Sequence, residues 1–202
     1  MFDAIIIGGG VAGLSCALIL GSAGNKPFAK DKKIGIVTHQ RASHLQTALF
    51  NNALGLAPGT TGASILENGK NQLKTLYPHI VQIDNEKVLE ITKTGNVFSI
   101  TTNKAKYTSQ LIVVAVGYTN LMDIKGLEQY IAPHPRAIAE KERIWLKNTD
   151  HKIDDGLYVA GTLAGWRSQF AIAAGSGAQV ATDILTLWNG GKDAQVHDKV
   201  AV

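Results

Sequence analysis

The sequence predicts a doubly wound α/β fold: a parallel sheet covered by helices, with a small antiparallel β-unit added to it. Three observations carry this. Residues 2–7, 34–38, 110–116 and 157–160 are short, almost continuously apolar runs, as strands buried on both faces of a parallel sheet must be. The first run passes into glycine-rich GGGVAG and then into small and aliphatic residues, the strand–turn–helix order of a βαβ unit. Residues 80–102 instead alternate apolar and polar side chains.

Taken in order, Phe2–Ile7 is a buried strand and Val11–Ser22 a helix. Residues 25–33, with Pro27, form a polar loop before the strand Ile34–Thr38. Residues 40–58 show no clean period and read as an extended loop. A helix follows over residues 61–77, with Ile65, Leu66, Leu73 and Leu76 at helical spacing and Pro78 as the stop. The runs 80–83, 88–92 and Val97–Thr102, separated by Asp84-Asn85 and Gly95-Asn96, are read as one antiparallel unit. Residues 110–116 return to the central sheet and end at Gly117. Residues 118–155 read as irregular, with Pro133 and Pro135. Residues 157–160 give the last central strand, 169–187 a long helix and 189–202 a tail.

Gly8, Gly10 and Gly13 fit G-x-G-x-x-G between a strand and a helix. Gly8 permits the tight turn, Gly10 lets backbone approach a pyrophosphate, and Gly13 lets the helix pack closely on the sheet. The phosphates would sit at the helix N-terminus, at Val11 and Ala12, where unpaired N–H groups and the helix dipole favour anions. The acid that normally holds the ribose is missing. Its place at the end of the second strand holds Thr38, His39 and Gln40, of which Thr38 or Gln40 would hydrogen-bond the ribose instead.

On these residues and three further segments the chain resembles the flavin domain of the thioredoxin-reductase-like pyridine nucleotide–disulfide oxidoreductases. IIIGGGVAGLSCAL matches the family's FAD fingerprint. LIVVAVG at 111–117 matches the second flavin motif through Ala115, Val116 and Gly117, with Val116 in place of Thr. GLYVAGTLAG at 156–165 matches the third through Gly161 and Thr162, with Thr162 where an Asp would face the ribityl–phosphate region. QFAIAAGSGAQVA at 169–181 matches the helix whose start faces the flavin pyrimidine ring, which places Gln169 and Phe170 there and makes Ser168 its N-cap. The resemblance also implies flavin contacts from Asn52, which otherwise reads as a turn residue, and from Thr47. Trp166 reads as a lid or as core.

The resemblance implies an FAD-binding Rossmann-like fold over residues 1–202 as a single domain, with cofactor segments 2–117 and 156–188. Where the family inserts a nicotinamide-binding domain and its CxxC, this chain has only residues 118–155. His134 and Arg136 stand near the place of the cysteines. The expected function is a redox flavoprotein that exchanges electrons with a partner protein or a small molecule. The alternative is a non-catalytic flavin-binding subunit or redox sensor, and a third reading is a fold that binds no flavin. Pairing through the flavin domain, as a homodimer, is also implied.

Composition narrows the remaining classes. Of 202 residues 45% are apolar, and the net charge is +4 with lysines spread out apart from Lys26, Lys30, Lys32 and Lys33. That loop reads as a solvated surface, and no basic stripe with interleaved aromatics points to nucleic acid. The lone Cys16 forms neither a disulfide within the chain nor a CxxC pair, and reads as a small buried residue. The six histidines lack metal-ligand spacing. The first residues do not read as a signal peptide, and no apolar run approaches the roughly 18 residues of a bilayer span, so a cytoplasmic setting is expected.

Overall fold

The computed structural model describes residues 1–39, 44–119 and 122–197. Its elements in chain order are β1 (Phe2–Ile7), α1 (Val11–Ser22), β2 (Ile34–Thr38), β3 (Leu49–Phe50), β4 (Thr60–Thr61), α2 (Gly62–Leu76), β5 (Val81–Asp84) and β6 (Val88–Thr94). They continue with β7 (Val97–Thr102), β8 (Lys106–Val114), β9 (Ile131–Pro133), β10 (Ile144–Leu146), β11 (Lys152–Asp154), β12 (Leu157–Val159) and α3 (Phe170–Trp188).

The central sheet runs β11-β12-β8-β1-β2-β5, with β12, β8, β1, β2 and β5 parallel. From β1 the chain steps outward through β2 to β5, then returns to the other side of β1 at β8. The carboxyl ends of β1 and β8 therefore diverge at a topological switch point, the place where open α/β sheets hold ligands. Both faces of β1 are buried. Ala4 and Ile6 pack with α1, α2 and α3, while Ile5 and Ile7 pack with the antiparallel strands and the 124–146 segment. That explains the unbroken apolar runs.

Two strand assignments differ from the sequence reading. Residues 80–83 do not join the antiparallel unit: β5 pairs parallel with β2, from Gly35↔Val81 to Thr38↔Asp84. It is the sheet edge, with Ile83 buried and Val81 exposed, and an edge strand alternates for the same reason an antiparallel one does. The antiparallel unit is instead β6, β7 and the first half of β8, which begins at Lys106 rather than at Gln110. One strand thus joins the parallel and antiparallel parts of a single eight-stranded sheet: Lys106–Ser109 is laddered to β7, and the following apolar half to β12.

Within 122–155, which the sequence reads as irregular, β9 and β10 form a hairpin, and β11 pairs antiparallel with β12. In the 189–197 tail, Ala194 is buried in the core. α3, at 19 residues, is long and apolar enough by length and composition to cross a membrane, contrary to the sequence expectation. Its small residues allow a tight helix crossing: a Cβ at Gly177 would lie 1.9 Å from the Ala12 carbonyl oxygen. Cys16 is wholly buried, and burial pushes its thiol well above the ordinary range, as befits a packing residue.

Candidate functional site

The three fingerprint glycines differ in what surrounds them. Gly8 has φ +117°, and a Cβ there would lie 2.4 Å from the Ala115 carbonyl oxygen. At Gly13 a Cβ would lie 1.8 Å from the Gly8 oxygen. These two are glycines because protein backbone fills the space. At Gly10 no atom of the described residues lies within 4 Å of the same position. Its backbone faces open space at the start of α1, where no side chain caps the helix and no acidic residue sits in the first turn. The first N–H groups of a helix have no partner within it, so those of Val11, Ala12 and Gly13 could hold an anion there. Gly117, just past the Ala115–Val116 backbone that covers Gly8, likewise has no described atom within 4 Å of its Cβ position.

At the end of β2, Thr38 is buried, and its hydroxyl donates to Asp84 Oδ1 on the neighbouring strand. Asp84 also pairs with Lys70 Nζ at 2.7 Å. Burial pushes the Asp84 carboxyl up, but Lys70 and the Thr38 hydroxyl hold it below its ordinary value. A carboxylate thus stands beside Thr38, supplied by β5 rather than by β2. Its strand-end position is visible in the sequence only once β5 is assigned to the parallel sheet. His39 is exposed, and Gln40 lies outside the described residues.

Thr47 ends a 3-10 turn over His44–Thr47 and is exposed, as is Asn52. The turn bond after β3 is made by Asn51, whose Oδ1 accepts from Gly59 N–H at 2.8 Å. Phe50 meets Phe170 edge to face at 5.5 Å, which docks this loop on the start of α3. The N-cap of α3 is Gln169, with no side-chain bond; Ser168 is exposed and is not the cap expected from the sequence.

Two buried histidines, unassigned by spacing, organise the third motif. His134 Nε2 lies 3.0 Å from the Thr162 carbonyl, which can only accept, and Nδ1 accepts the Arg136 N–H at 3.2 Å. That fixes a neutral ring with its proton on Nε2. Deeper in, Ser176 Oγ accepts from Gly161 N–H at 2.7 Å and lies 2.8 Å from His151 Nε2. Ser176 thus bridges the Gly161 backbone and the His151 ring. Burial pushes His151 below the ordinary imidazole value, against the pull of Asp183 and Asp150, and its ring stacks on Trp166 at 5.7 Å. Trp166 is 42% exposed and so is not core. His151 also has φ +69°, held by its N–H to Asn148 Oδ1 and its carbonyl to Val159 N–H. Both imidazoles serve as braces, with their Nε2 atoms engaged.

Between the β9–β10 hairpin and the start of α3 lies a cavity of about 340 Å³. Its walls include Tyr118, Trp166, Ser168 and Gln169 and four cationic side chains, Arg136, Lys141, Arg143 and Arg167. The Arg136 guanidinium is held by the Gly165 carbonyl and lies 5.7 Å from the Trp166 ring. Arg143 lies 4.9 Å over the Tyr118 ring, and its Nε is buried with no acceptor among the described residues. The sequence carries no local signal for this cluster, because Arg167 comes from a different segment than the other three.

The family described as pyridine nucleotide-disulphide oxidoreductase matches residues 2–173. Ferredoxin–NADP reductase 1 of Listeria innocua is 31% identical over 141 residues, 68% of this chain and 41% of the relative. Thioredoxin reductase of Treponema pallidum is 31% identical over 132 residues, 64% and 40% respectively. The chain thus spans about two fifths of the length of these curated relatives. Among solved structures, a thioredoxin reductase from Gloeobacter violaceus superposes with TM-score 0.73 at 15% identity, covering 100% of this chain and 99% of that one. A ferredoxin-flavin thioredoxin reductase from Clostridium acetobutylicum gives 0.68 at 18%, covering 94% and 98%. With its fingerprint, switch point and third motif in the arrangement described, the chain belongs to the pyridine nucleotide-disulphide oxidoreductase family, a family of flavoprotein redox enzymes.

Proposed function

We propose that this chain binds FAD and exchanges electrons with a partner protein or a small molecule, without a nicotinamide domain of its own. The observation that carries the cofactor reading is the open space at Gly10 in front of an uncapped α1, flanked by two glycines whose space is filled by backbone. A diphosphate fits that cradle in charge and in room. Val11, Ala12 and Gly13 would offer it N–H groups. Thr38, His39 and Gln40 would meet the ribose, with Asp84 supplying the carboxylate that the second strand lacks. Ala115–Gly117, Gly161 and Thr162 would line the middle of the cofactor, and Ser168, Gln169 and Phe170 its flavin end, with Thr47 and Asn52 on the covering loop.

Bound FAD supplies the electron transfer. The chain's own part is to bind, orient and shield it. The α3 N-terminus favours negative charge beside it, and the Ser176–His151 brace holds the Gly161 backbone in place. Homodimer formation, through the flavin domain, belongs to the same proposal.

The electron-donor half is tested by anaerobic mixing of the FAD-loaded protein with NADPH. Residues 118–155 carry no second G-x-G-x-x-G, so bleaching is expected to be slow or absent. Bleaching within milliseconds to seconds, at ordinary enzyme rates, would mean that a nicotinamide site exists.

A further inference from the structure

We infer that the cationic cavity between the β9–β10 hairpin and α3 binds a small organic anion, with charges carried by carboxylate or phosphate groups, as the molecule that meets the flavin end of the site. The inference rests on the proposed function and names its substrate class.

Four cations line one concave space, and none of them forms an ion pair among the described residues. Glu140 and Glu142 belong to the same segment as Lys141 but are not in the wall. Like charges gathered in a concavity repel one another and focus a positive potential within it. The cluster is also held in place. Arg136 is fixed by the Gly165 carbonyl, and Arg143 lies over Tyr118. An anion in the cavity would answer the charge of the four unpaired cations. Guanidinium groups suit carboxylate and phosphate because their planar forks bond two oxygens at once. Tyr118 and Trp166 give the body of such a molecule an apolar surface, and about 340 Å³ is at the small end of ligand pockets. Gln169 belongs both to this wall and to the cap of α3, so an anion here lies where the proposed flavin end begins.

The test is isothermal titration of the FAD-loaded protein, at low salt, with succinate, inorganic phosphate, neutral succinamide and poly-L-glutamate. The expected result is saturable binding of succinate or phosphate and none of succinamide, with the tighter of the two telling carboxylate from phosphoryl ligands. Arg143→Gln should weaken that binding about tenfold or more while the protein keeps its FAD content. Arg167→Gln, at an exposed position, should weaken it in the same direction and guards against a misfolded Arg143 variant. Absence of binding by both small anions overturns the inference, as does equal binding of succinamide. Binding of poly-L-glutamate alone overturns it in favour of an acidic protein. Loss of FAD together with the anion in both variants overturns it too, because the cavity would then belong to the flavin. A protein that takes up no FAD yet titrates with succinate leaves the anion site standing and removes the flavin reading instead.

Discussion

Gly10 and Gly13 lie three residues apart, at the N-cap and in the first turn of α1, and the structure predicts opposite failures for them. In Gly13→Ala the new Cβ would stand 1.8 Å from the Gly8 oxygen. That is roughly 1.5 Å short of an ordinary carbon–oxygen contact. The clashing atoms are Gly8 backbone, so no flexible side chain can yield. The cost should reach about 3 kcal/mol or more, the upper end for overpacking. For a chain of this size each kcal/mol is worth about 2–4 °C of melting temperature, so Gly13→Ala should melt roughly 6–12 °C lower. At Gly10 the backbone has φ −79° and ψ −174°, which any residue adopts. Gly10→Ala loses a little N-cap preference and gains by restricting the unfolded chain, so its stability should change by only about 0.5 kcal/mol. Gly10→Val should be folded and yet lose FAD affinity about tenfold or more, because 1–2 kcal/mol of helix-terminus interaction with the pyrophosphate is lost. Differential scanning fluorimetry of the proteins without cofactor, with flavin-fluorescence titration alongside, reads both quantities. A Gly13→Ala protein as stable as the parent, or a folded Gly10→Val protein with unchanged FAD affinity, would refute the reasoning.

The other predictions concern the braces behind the loop. Ser176→Ala removes the hydroxyl that joins Gly161 N–H to His151. It leaves buried groups unsatisfied and should cost about 2–3 kcal/mol in urea unfolding; an unchanged midpoint contradicts the network. The folded pKa of His151 is depressed, so its stabilising effect is full above the unfolded value near 6.5 and is lost as pH falls from there towards the folded value. The parent should therefore lose stability below about pH 6.5 more steeply than His151→Gln, by at most about 1.4 kcal/mol per pH unit; parallel profiles count against it. Thr162→Asp should tighten FAD binding by on the order of 1 kcal/mol through a charge-assisted bond. A tenfold loss with the fold intact would mean that the pocket is no longer the family's pocket at that position.

What was legible in the sequence is what repeats locally. Phe2–Ile7 followed by Gly8, Gly10 and Gly13 carries strand, turn and helix within a few residues, and these fall where the pattern puts them. The alternation of residues 80–83 misled because burial on one face looks the same in an edge strand of a parallel sheet as in a hairpin; pairing partners, not periodicity, decide between them. Gln169 rather than Ser168 caps α3 because the chain enters the helix one residue later. The Ser176–His151 brace and the Arg136, Lys141, Arg143 and Arg167 cluster were not legible. Their members lie far apart or in separate segments of the chain, and only the return of the β9–β10 hairpin to the start of α3 brings the four cations to one cavity.

The central claim is that the Gly8–Gly13 cradle holds the diphosphate of FAD. The most direct measurement is the absorption spectrum of the purified protein, followed by chromatographic identification of what heat releases from it and by reconstitution with added FAD. The account predicts flavin bands and released FAD, approaching one per chain after reconstitution. A colourless protein that takes up no FAD in excess, or one that releases only FMN, would contradict it.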